Sequence, residues 1–584
     1  MRSKTHRADF CVVGGGLAGL CAAVAAARHG TKTVLMQDRP VLGGNASSEI
    51  RMWVSGSYRK WATDVNVENK RETGILEELN LENLYRNPTE NYSIWDSVLY
   101  ESARFQPNLT LLLNCTCQAA EKDGARIHTV TGWQLTTETT HHVEADLFAD
   151  CSGDGILAPL AGAEFRLGRE AAREFNEEIE PEEADRKTMG VSCLIQARET
   201  ARPQPFTPPA WAYSYPTCEA LPERNHDVRT TNFWWLELGG EDDSIHDTEE
   251  LRDELLKVAF GVWDHIKNHC TSQDASNWEL EWVGFLPGKR ESRRLVGDHI
   301  LTQNDVRSEG RFEDLIAYCG WTMDDHHPGG MRHPGKPTTH HFAPSPFGIP
   351  YRCVYSRNID NLFMAGRNIS TTHAALSATR VMATTALLGE AVGVAAAIAI
   401  REKTVPRGVY EKHLDELKQT LMDDDCYLPW NRRAVPELSR DAALSAEVGK
   451  PEVLRNGLDR PIDDDDNGFT LPLNSWIEYR FDAPRATARA RFTFDSELNR
   501  PEMHHQKCRY TLSDEPRTVP PSMTRGFRLE AEQPDGSWQT VYTETDNYQR
   551  LVRIPLDVKT TAIRFFPEKT WGAEKCHLFA FDVG

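Results

Sequence analysis

Near the start of the chain, Gly14-Gly15-Gly16-Leu17-Ala18-Gly19 has the glycine spacing that brings backbone against a phosphate. In this GxGxxG pattern Gly14 permits a tight turn, Gly16 lets the backbone approach a pyrophosphate, and Gly19 lets a helix pack closely on a strand. Leu17 and Ala18 open that helix, whose unsatisfied N–H groups face the anion. The acid that binds ribose hydroxyls in such a unit belongs at the end of the second strand. There the chain reads Met36-Gln37-Asp38-Arg39. Gln37 can hydrogen-bond a hydroxyl, Asp38 is the alternative acceptor, and Arg39 beside them suits a 2′-phosphate.

Two further groups carry chemistry. Asp324-Asp325-His326-His327 is followed by His333, His340 and His341 in a stretch rich in Gly and Pro. Adjacent histidine pairs in such a loop supply no recognised metal-ligand spacing, so the segment reads as a substrate-lining or solvated loop. The 13 cysteines are odd in number and scattered from Cys11 to Cys576 without paired CxxC arms. Reduced, mostly buried thiols are expected, and no metal site. In Lys289-Arg290-Glu291-Ser292-Arg293-Arg294 the guanidinium forks suit either a clamp on an anionic or polyhydroxylated substrate or an internal salt-bridge network.

These residues need elements to hold them. Ala8 to Val13 reads as a buried strand, Leu17 to His29 as an Ala-rich helix and Thr33 to Gln37 as a second strand, which makes a βαβ unit. Residues 45–100 are polar and aromatic, with an amphipathic helix around Ile94 to Arg104. Further strands are expected at Leu109 to Cys117 and Ala145 to Asp150, the latter ending in the turn Cys151-Ser152-Gly153-Asp154-Gly155. From 163 to 346 the pattern is irregular, acidic and Trp-rich, as suits an inserted α+β cap domain. Regular character returns with a strand at Asn361 to Ala365 and a long helix through Ile400. After residue 448 alternating stretches such as Trp476 to Phe481, Ala488 to Phe494 and Phe527 to Ala531 predict a β-sandwich. The expected organisation is α/β: a Rossmann-like domain of residues 1–162 and 347–448, a cap of 163–346, and a C-terminal β-sandwich of 449–584.

The 584 residues exceed what one hydrophobic core usually serves, in keeping with several domains. A net charge of −21 makes nucleic acid an improbable partner, because an acidic surface repels the phosphate backbone. Met1 to Asp9 is short, basic and polar, which does not read as a secretory signal, so a cytoplasmic location is expected. Ala383 to Ile400 is apolar, but it contains Glu390 and is rich in Ala and Gly. It is read as a buried helix, with no membrane partner expected.

Three segments, in this order, resemble the FAD-dependent oxidoreductases whose flavin fold is shared with glutathione reductase and the fumarate reductase flavoproteins. They are Gly14 to Gly19 with Leu42-Gly43-Gly44-Asn45, then Asp150 to Gly155, then Leu362-Phe363-Met364-Ala365-Gly366-Arg367. The resemblance implies FAD as cofactor, with Gly43, Gly44, Asn45 and Ser47 beside the flavin. It implies that the strand ending at Cys117 offers backbone groups to adenine, and that Ser152, Gly153 and Asp154 pass near the pyrophosphate. Gly366 and Arg367 should border the ribityl chain, and the helix beginning near Arg380-Val381-Met382 should aim its N-terminus at the flavin pyrimidine, stabilising negative charge there. The Lys289 to Arg294 run also resembles a recurrent segment of this family.

Departures narrow the chemistry that the resemblance implies. Between Cys21 and Cys115 there is no cysteine, which argues against dithiol reduction. Gly366-Arg367 stands where related hydroxylases have Gly-Asp, which demotes monooxygenation. No second GxGxxG provides for a tightly bound nicotinamide. His373, in Ser370-Thr371-Thr372-His373-Ala374-Ala375-Leu376, lies where such active sites open and is the first candidate for a general base, with His326, His327 and Arg290 as further catalytic candidates. The favoured reading is hydride transfer between flavin N5 and a small polar substrate, a carbohydrate or polyol. Fumarate-reductase-like reduction of an unsaturated carboxylate is the alternative enzyme. A glycan-binding or scaffolding protein with a structural flavin site is the alternative of another class. The oligomeric state, monomer or homo-oligomer, is left open.

Overall fold

The computed structural model describes residues 2–57, 68–500 and 507–584, so residues 58–67 of the polar stretch 45–100 lie outside the described residues. The chain forms two compact units. The first comprises Met1–Ser57, Thr89–Leu417 and His504–Pro516, the second Tyr58–Pro88, Lys418–Met503 and Arg517–Gly584. The chain thus passes between units several times, where composition suggested one change near residue 448. The reason is local: Leu81 and Leu84 belong to the hydrophobic core of the second unit, and Tyr510 bonds to backbone of the first, donating its N–H to Ala197 O at 3.0 Å.

The first unit is built on five parallel strands: β1 (Phe10–Val13), β2 (Thr33–Met36), β3 (Leu109–Leu112), β4 (Leu147–Asp150) and β5 (Leu362–Met364), in the order β5-β4-β1-β2-β3. Helix α1 (Leu17–Arg28) links β1 to β2, and two helices follow β5, α2 (His373–Thr379) and α3 (Met382–Arg401). β1, β2, β4 and β5 are buried throughout, as expected of parallel strands covered on both faces.

The strand expected from Leu109 to Cys117 is corrected by the structure. β3 stops at Leu112, Asn114 takes a positive φ of 53°, and Cys115–Asp123 pairs antiparallel with Arg126–Gln134 in a different sheet. Asn114 N donates to Arg39 O and Cys115 N to Gln37 O, at 3.1 and 2.8 Å. The backbone beside the end of β2 is therefore Asn114-Cys115, and Cys117 lies buried one step further on.

Helix α3 is long and apolar enough to cross a membrane, yet 94% of its apolar window is buried within the protein. Its glycines explain why. A Cβ at Gly389 would stand 2.0 Å from Ala18 O, and one at Gly393 would stand 2.3 Å from Ala22 O, so α3 rests directly on the backbone of α1.

The second unit is an antiparallel β-sandwich. The expected strands Trp476 to Phe481 and Ala488 to Phe494 are one continuous strand, Ile477–Phe494, paired with Leu551–Thr570. Pairing register shifts between Arg480 and Arg485, which breaks the alternation that made the strand look like two. Phe492, Phe494, Phe527, Phe565 and Phe581 fill its core. Helix Ile75–Arg86 completes the unit with a buried ion pair: Glu77 accepts from both terminal nitrogens of Arg500, at 2.8 and 2.9 Å, and from Ser496 Oγ at 2.7 Å.

Removing one partner of a buried pair strands the other charge, at a cost of about 3–5 kcal/mol. Glu77→Ala should therefore lower the unfolding free energy of the β-type circular dichroism transition by that amount, seen as a lower urea midpoint. An unchanged midpoint would show that the helix contributes nothing to the sandwich.

Candidate active site

The glycine loop forms a cradle open on one side. Gly14 has φ 102°, and a Cβ there would meet the Cys151 carbonyl carbon at 2.4 Å; a Cβ on Gly19 would lie 1.8 Å from Gly14 O. Gly16 differs. Its Cβ would meet nothing nearer than Gly44 Cα at 3.9 Å, and it caps α1 with neither a side-chain hydrogen bond nor an acidic residue in the first turn. The first N–H groups, Leu17 and Ala18 among them, thus face space of the kind a pyrophosphate fills. Gly43 closes the cradle, its N–H donating to Gly15 O at 2.8 Å. Ser47 Oγ donates to Gly44 O at 2.7 Å, and Asn45 Nδ2 to Lys289 O at 3.0 Å.

At the end of β2, Gln37 is already engaged: its Oε1 accepts from Gly15 N at 2.7 Å and its Nε2 donates to Val41 O at 3.1 Å. That shapes the glycine loop and leaves Asp38, the next residue, exposed. Arg39 stands 3.9 Å from Glu49.

After β4, Asp150 is buried, its Oδ1 accepting from Ser152 Oγ at 2.7 Å and its Oδ2 from Leu157 N at 2.7 Å. Gly153 (φ 77°) keeps space for Arg367, whose Nη1 would lie 2.6 Å from a Cβ there. Asp154 pairs with Arg367 Nη2 and Lys289 Nζ, each at 2.8 Å, and accepts from Ser292 Oγ at 2.8 Å. Burial opposes its ionisation, but Arg367 and Lys289 prevail and hold it down to about 2. Gly366 has φ 116°. Arg367 Nε and Asn368 Oδ1 are buried and without a hydrogen-bond partner. This set, a glycine cradle with buried donors and acceptors left over, fits a dinucleotide.

Around His373 lies a dense ionic cluster. Its Nδ1 is 2.9 Å from Glu291 Oε2 and its Nε2 3.2 Å from Asp325 Oδ1. Arg294, 1% exposed, meets Glu291 on one side and Glu170 at 2.8 Å on the other, and its Nε donates to Thr371 O at 3.1 Å. Three carboxylates hold the start of α2: Glu170 accepts from His373 N at 2.9 Å, Glu180 from Ala374 N at 2.7 Å, and Glu177 from Thr372 Oγ1 at 2.7 Å. Burial alone would deprotonate His373, but Glu291 and Asp325 outweigh it and raise the imidazole well above its ordinary value. Such a ring donates from both nitrogens and is ill suited to remove a proton. Burial pushes Glu180 up to about 7, against the pull of His373, and its Oε2 has no partner.

A second layer adjoins it. His326 sits between Glu237, 2.6 Å from Nδ1, and Asp324, 3.4 Å from Nε2. Arg290 pairs with Glu237 at 3.3 Å and donates to Ser192 Oγ and Trp234 O, both at 2.8 Å. Arg380 reaches Asp324 at 3.2 Å. Val381 caps α3 in extended conformation without a side-chain bond, and in the first turn Ala383 N donates to Ser55 O at 2.9 Å. His327 takes no part in either layer: it is exposed, stacks on His333 at 3.6 Å between centroids, and accepts from Gly329 N. Glu170, Glu177 and Glu180 escaped the sequence reading, since an acidic run between irregular segments looks the same whether solvated or buried.

Gly16 and Gly19 separate binding from folding. Gly16→Val should fold normally and purify without flavin absorbance, because its side chain enters ligand space. Gly19→Val drives a methyl-bearing carbon into Gly14 O and should yield insoluble protein. A yellow, folded Gly16→Val protein would remove the cradle from this role.

Comparison with known proteins agrees with this geometry. The family model described as FAD dependent oxidoreductase matches residues 9–421. No curated protein matches. Among solved structures, a geranylgeranyl bacteriochlorophyll reductase-like protein from Thermoplasma acidophilum is 11% identical, with a TM-score of 0.32 over 72% of this chain and 84% of its own. p-Nitrophenol 4-monooxygenase from Pseudomonas putida DLL-E4 is 11% identical, with a TM-score of 0.31 over 72% and 86%. The family 32 carbohydrate-binding module from Streptococcus pneumoniae EndoD is 14% identical, with a TM-score of 0.19 over 25% and 97%. With scores this low, the structural likenesses say nothing about function. The family match spans the cradle, the Asp150 to Gly155 turn and the Gly366-Arg367 strand end, and on that ground the chain belongs to the FAD dependent oxidoreductase family.

Proposed function

We propose that the protein oxidises a hydroxyl group of an uncharged polar substrate, of the sugar or polyol class, to a carbonyl. The observation behind this reading is the charge balance of the cluster. Carboxylates outnumber cations, and Arg290, Arg294 and Arg380 are each already paired with Glu or Asp. A dicarboxylate, as the alkene-reductase alternative requires, would find no unpaired guanidinium among these three. A polyol instead finds acceptors for its hydroxyl protons.

In this reading FAD is held by the Gly14 to Gly19 loop, by Gly43 to Ser47, by Asp38 at the ribose and by Ser152, Gly153, Asp154, Gly366 and Arg367, with Asn114-Cys115 in place of Cys117 near adenine. Bound FAD supplies a hydride acceptor at N5. The chain's own residues handle the proton. Glu180 Oε2, buried and unpartnered, takes the hydroxyl proton as the C–H bond gives up its hydride and the carbonyl forms. His373, held as a cation by Glu291 and Asp325, tempers Glu180 through its positive charge. Residues 163–346, which carry Glu170, Glu180, Glu237, Glu291 and Asp325, act as the cap over the flavin.

Anaerobic flavin bleaching by a panel of sugars, polyols and carboxylates identifies the substrate class; bleaching by none of them favours the glycan-binding alternative. With a bleaching substrate, the reduction rate should rise with pH through about 7, because ionised Glu180 is the acceptor. Glu180→Gln should slow reduction by roughly 100- to 10,000-fold and abolish the pH step. His373→Gln removes the cation that lowers Glu180 and should move the step to higher pH. An unaltered rate and profile in Glu180→Gln would rule that carboxylate out.

A further inference from the structure

Cys218, His226, His265 and Cys270 are far apart in sequence, and no metal was expected of them. The fold of the first unit brings them together. Cys218 begins the short turn Cys218–Ala220 and His226 follows in a loop. His265 stands where helix Thr248–Asp264 widens into a π-helical turn, His265–His269, which ends at Cys270. That turn is closed by Cys270 N donating to His265 O, five residues back, at 2.7 Å. The wider turn sets residues i and i+5 on the same side; such turns recur at functional sites.

The four ligand atoms lie within 4.8 Å of one another. The two sulfurs are 3.9 Å apart, far beyond the ~2.05 Å of a disulfide. That spacing is close to the edge of a zinc-centred tetrahedron, since a Zn–S bond of ~2.3 Å sets sulfurs roughly 3.8 Å apart.

Both imidazoles are turned for ligation. His226 Nδ1 is 2.9 Å from Arg224 O and His265 Nδ1 is 2.8 Å from Tyr215 O. Each ring is thereby fixed with its Nε2 directed elsewhere, and both Nε2 atoms are buried without a hydrogen-bond partner. A backbone carbonyl holding Nδ1–H while Nε2 binds metal is the usual second-shell support of a zinc histidine. The two rings meet edge to face, with centroids 4.9 Å apart. The loops are tied as well, Gln273 Nε2 donating to His226 O at 2.6 Å.

We propose that Cys218, His226, His265 and Cys270 bind a structural zinc ion. Two thiolates and two imidazoles complete a tetrahedron, leaving no open position for catalysis. The site is linked through Arg224 to the hairpin that carries His326. Arg224, two residues before His226, donates to Gly330 O and His333 O at 2.9 Å and to Gly335 O at 2.6 Å. Those carbonyls belong to the loop between strands Met323–His326 and Thr338–His341, which carry Asp324, Asp325 and His326. Zinc would thus hold the support on which that hairpin rests.

The test uses the full chain, reduced and purified from zinc-containing medium. Elemental analysis should find close to one zinc per chain after desalting. Cobalt(II) added to zinc-depleted protein should give the intense visible bands of tetrahedral coordination with thiolate charge transfer. The double variant Cys218→Ser, Cys270→Ser should lose at least about tenfold in bound zinc and show no cobalt bands, with flavin absorbance reporting whether it has folded. If it does not fold, the wild-type cobalt spectrum decides. Zinc well below stoichiometry together with a silent cobalt titration would overturn the proposal, as would a Cys218–Cys270 disulfide found by mass spectrometry in protein purified without oxidant.

Discussion

Arg294 is a guanidinium with almost no access to water, and the architecture around His373 follows from neutralising it. A buried, uncompensated charge costs several kcal/mol, so carboxylates must stand against it. Glu291 and Glu170 do so on either side. They bring more negative charge than Arg294 cancels, and Glu177, Glu180 and Asp325 add to it. His373 restores part of the balance by remaining protonated. Part of the remaining negative charge is relieved at Glu180, which is buried with Oε2 unpartnered and keeps its proton to about pH 7. Its state is a consequence of the whole network.

The segment Lys289 to Arg294 joins this network to the flavin cradle. Lys289 and Ser292 reach Asp154, which also holds Arg367. Glu291 and Arg294 reach His373 and the start of α2, and Arg290 reaches Glu237 beside His326. Six consecutive residues thus contact both halves of the site. Two readings were open for the run, a substrate clamp or an internal salt-bridge network, and the contacts made by Arg290 and Arg294 are those of the network.

Much of the fold was legible because its signals are local. The glycine spacing, the Ala-rich α1 and the fully apolar strands each follow from sterics or burial within a few residues. Even the apolar helix could be placed, since Gly389 and Gly393 serve a close helix contact better than a lipid face. Reading failed where tertiary partners decide. Asn114 turns with a positive φ and ends β3, which moved Cys117 out of its expected strand. Glu170, Glu177 and Glu180 look like a solvated acidic run until Arg294 and the N-terminus of α2 are set against them. The Cys2His2 cluster has no compact spacing, because its ligands converge through a π turn and two loops.

The cluster also carries a thermodynamic cost whose sign is informative. Glu180 binds its proton more tightly folded than unfolded, so ionising it weakens the fold as pH rises from 4.5 toward about 7. At about 1.4 kcal/mol per unit the loss is roughly 3 kcal/mol. His373, also raised, adds stability below 6.5 that is lost as pH climbs through its folded value. Glu291 works the other way: its lowered value gives stability above 4.5 that disappears on acidification. Near neutral pH the fold therefore carries Glu180 against its own stability, and Glu177, also raised by burial, acts in the same direction. A glutamine at position 180 could keep the Ala374 N–H bonded without that cost. Retention of the acid is what is expected where proton exchange, rather than packing, decides the residue.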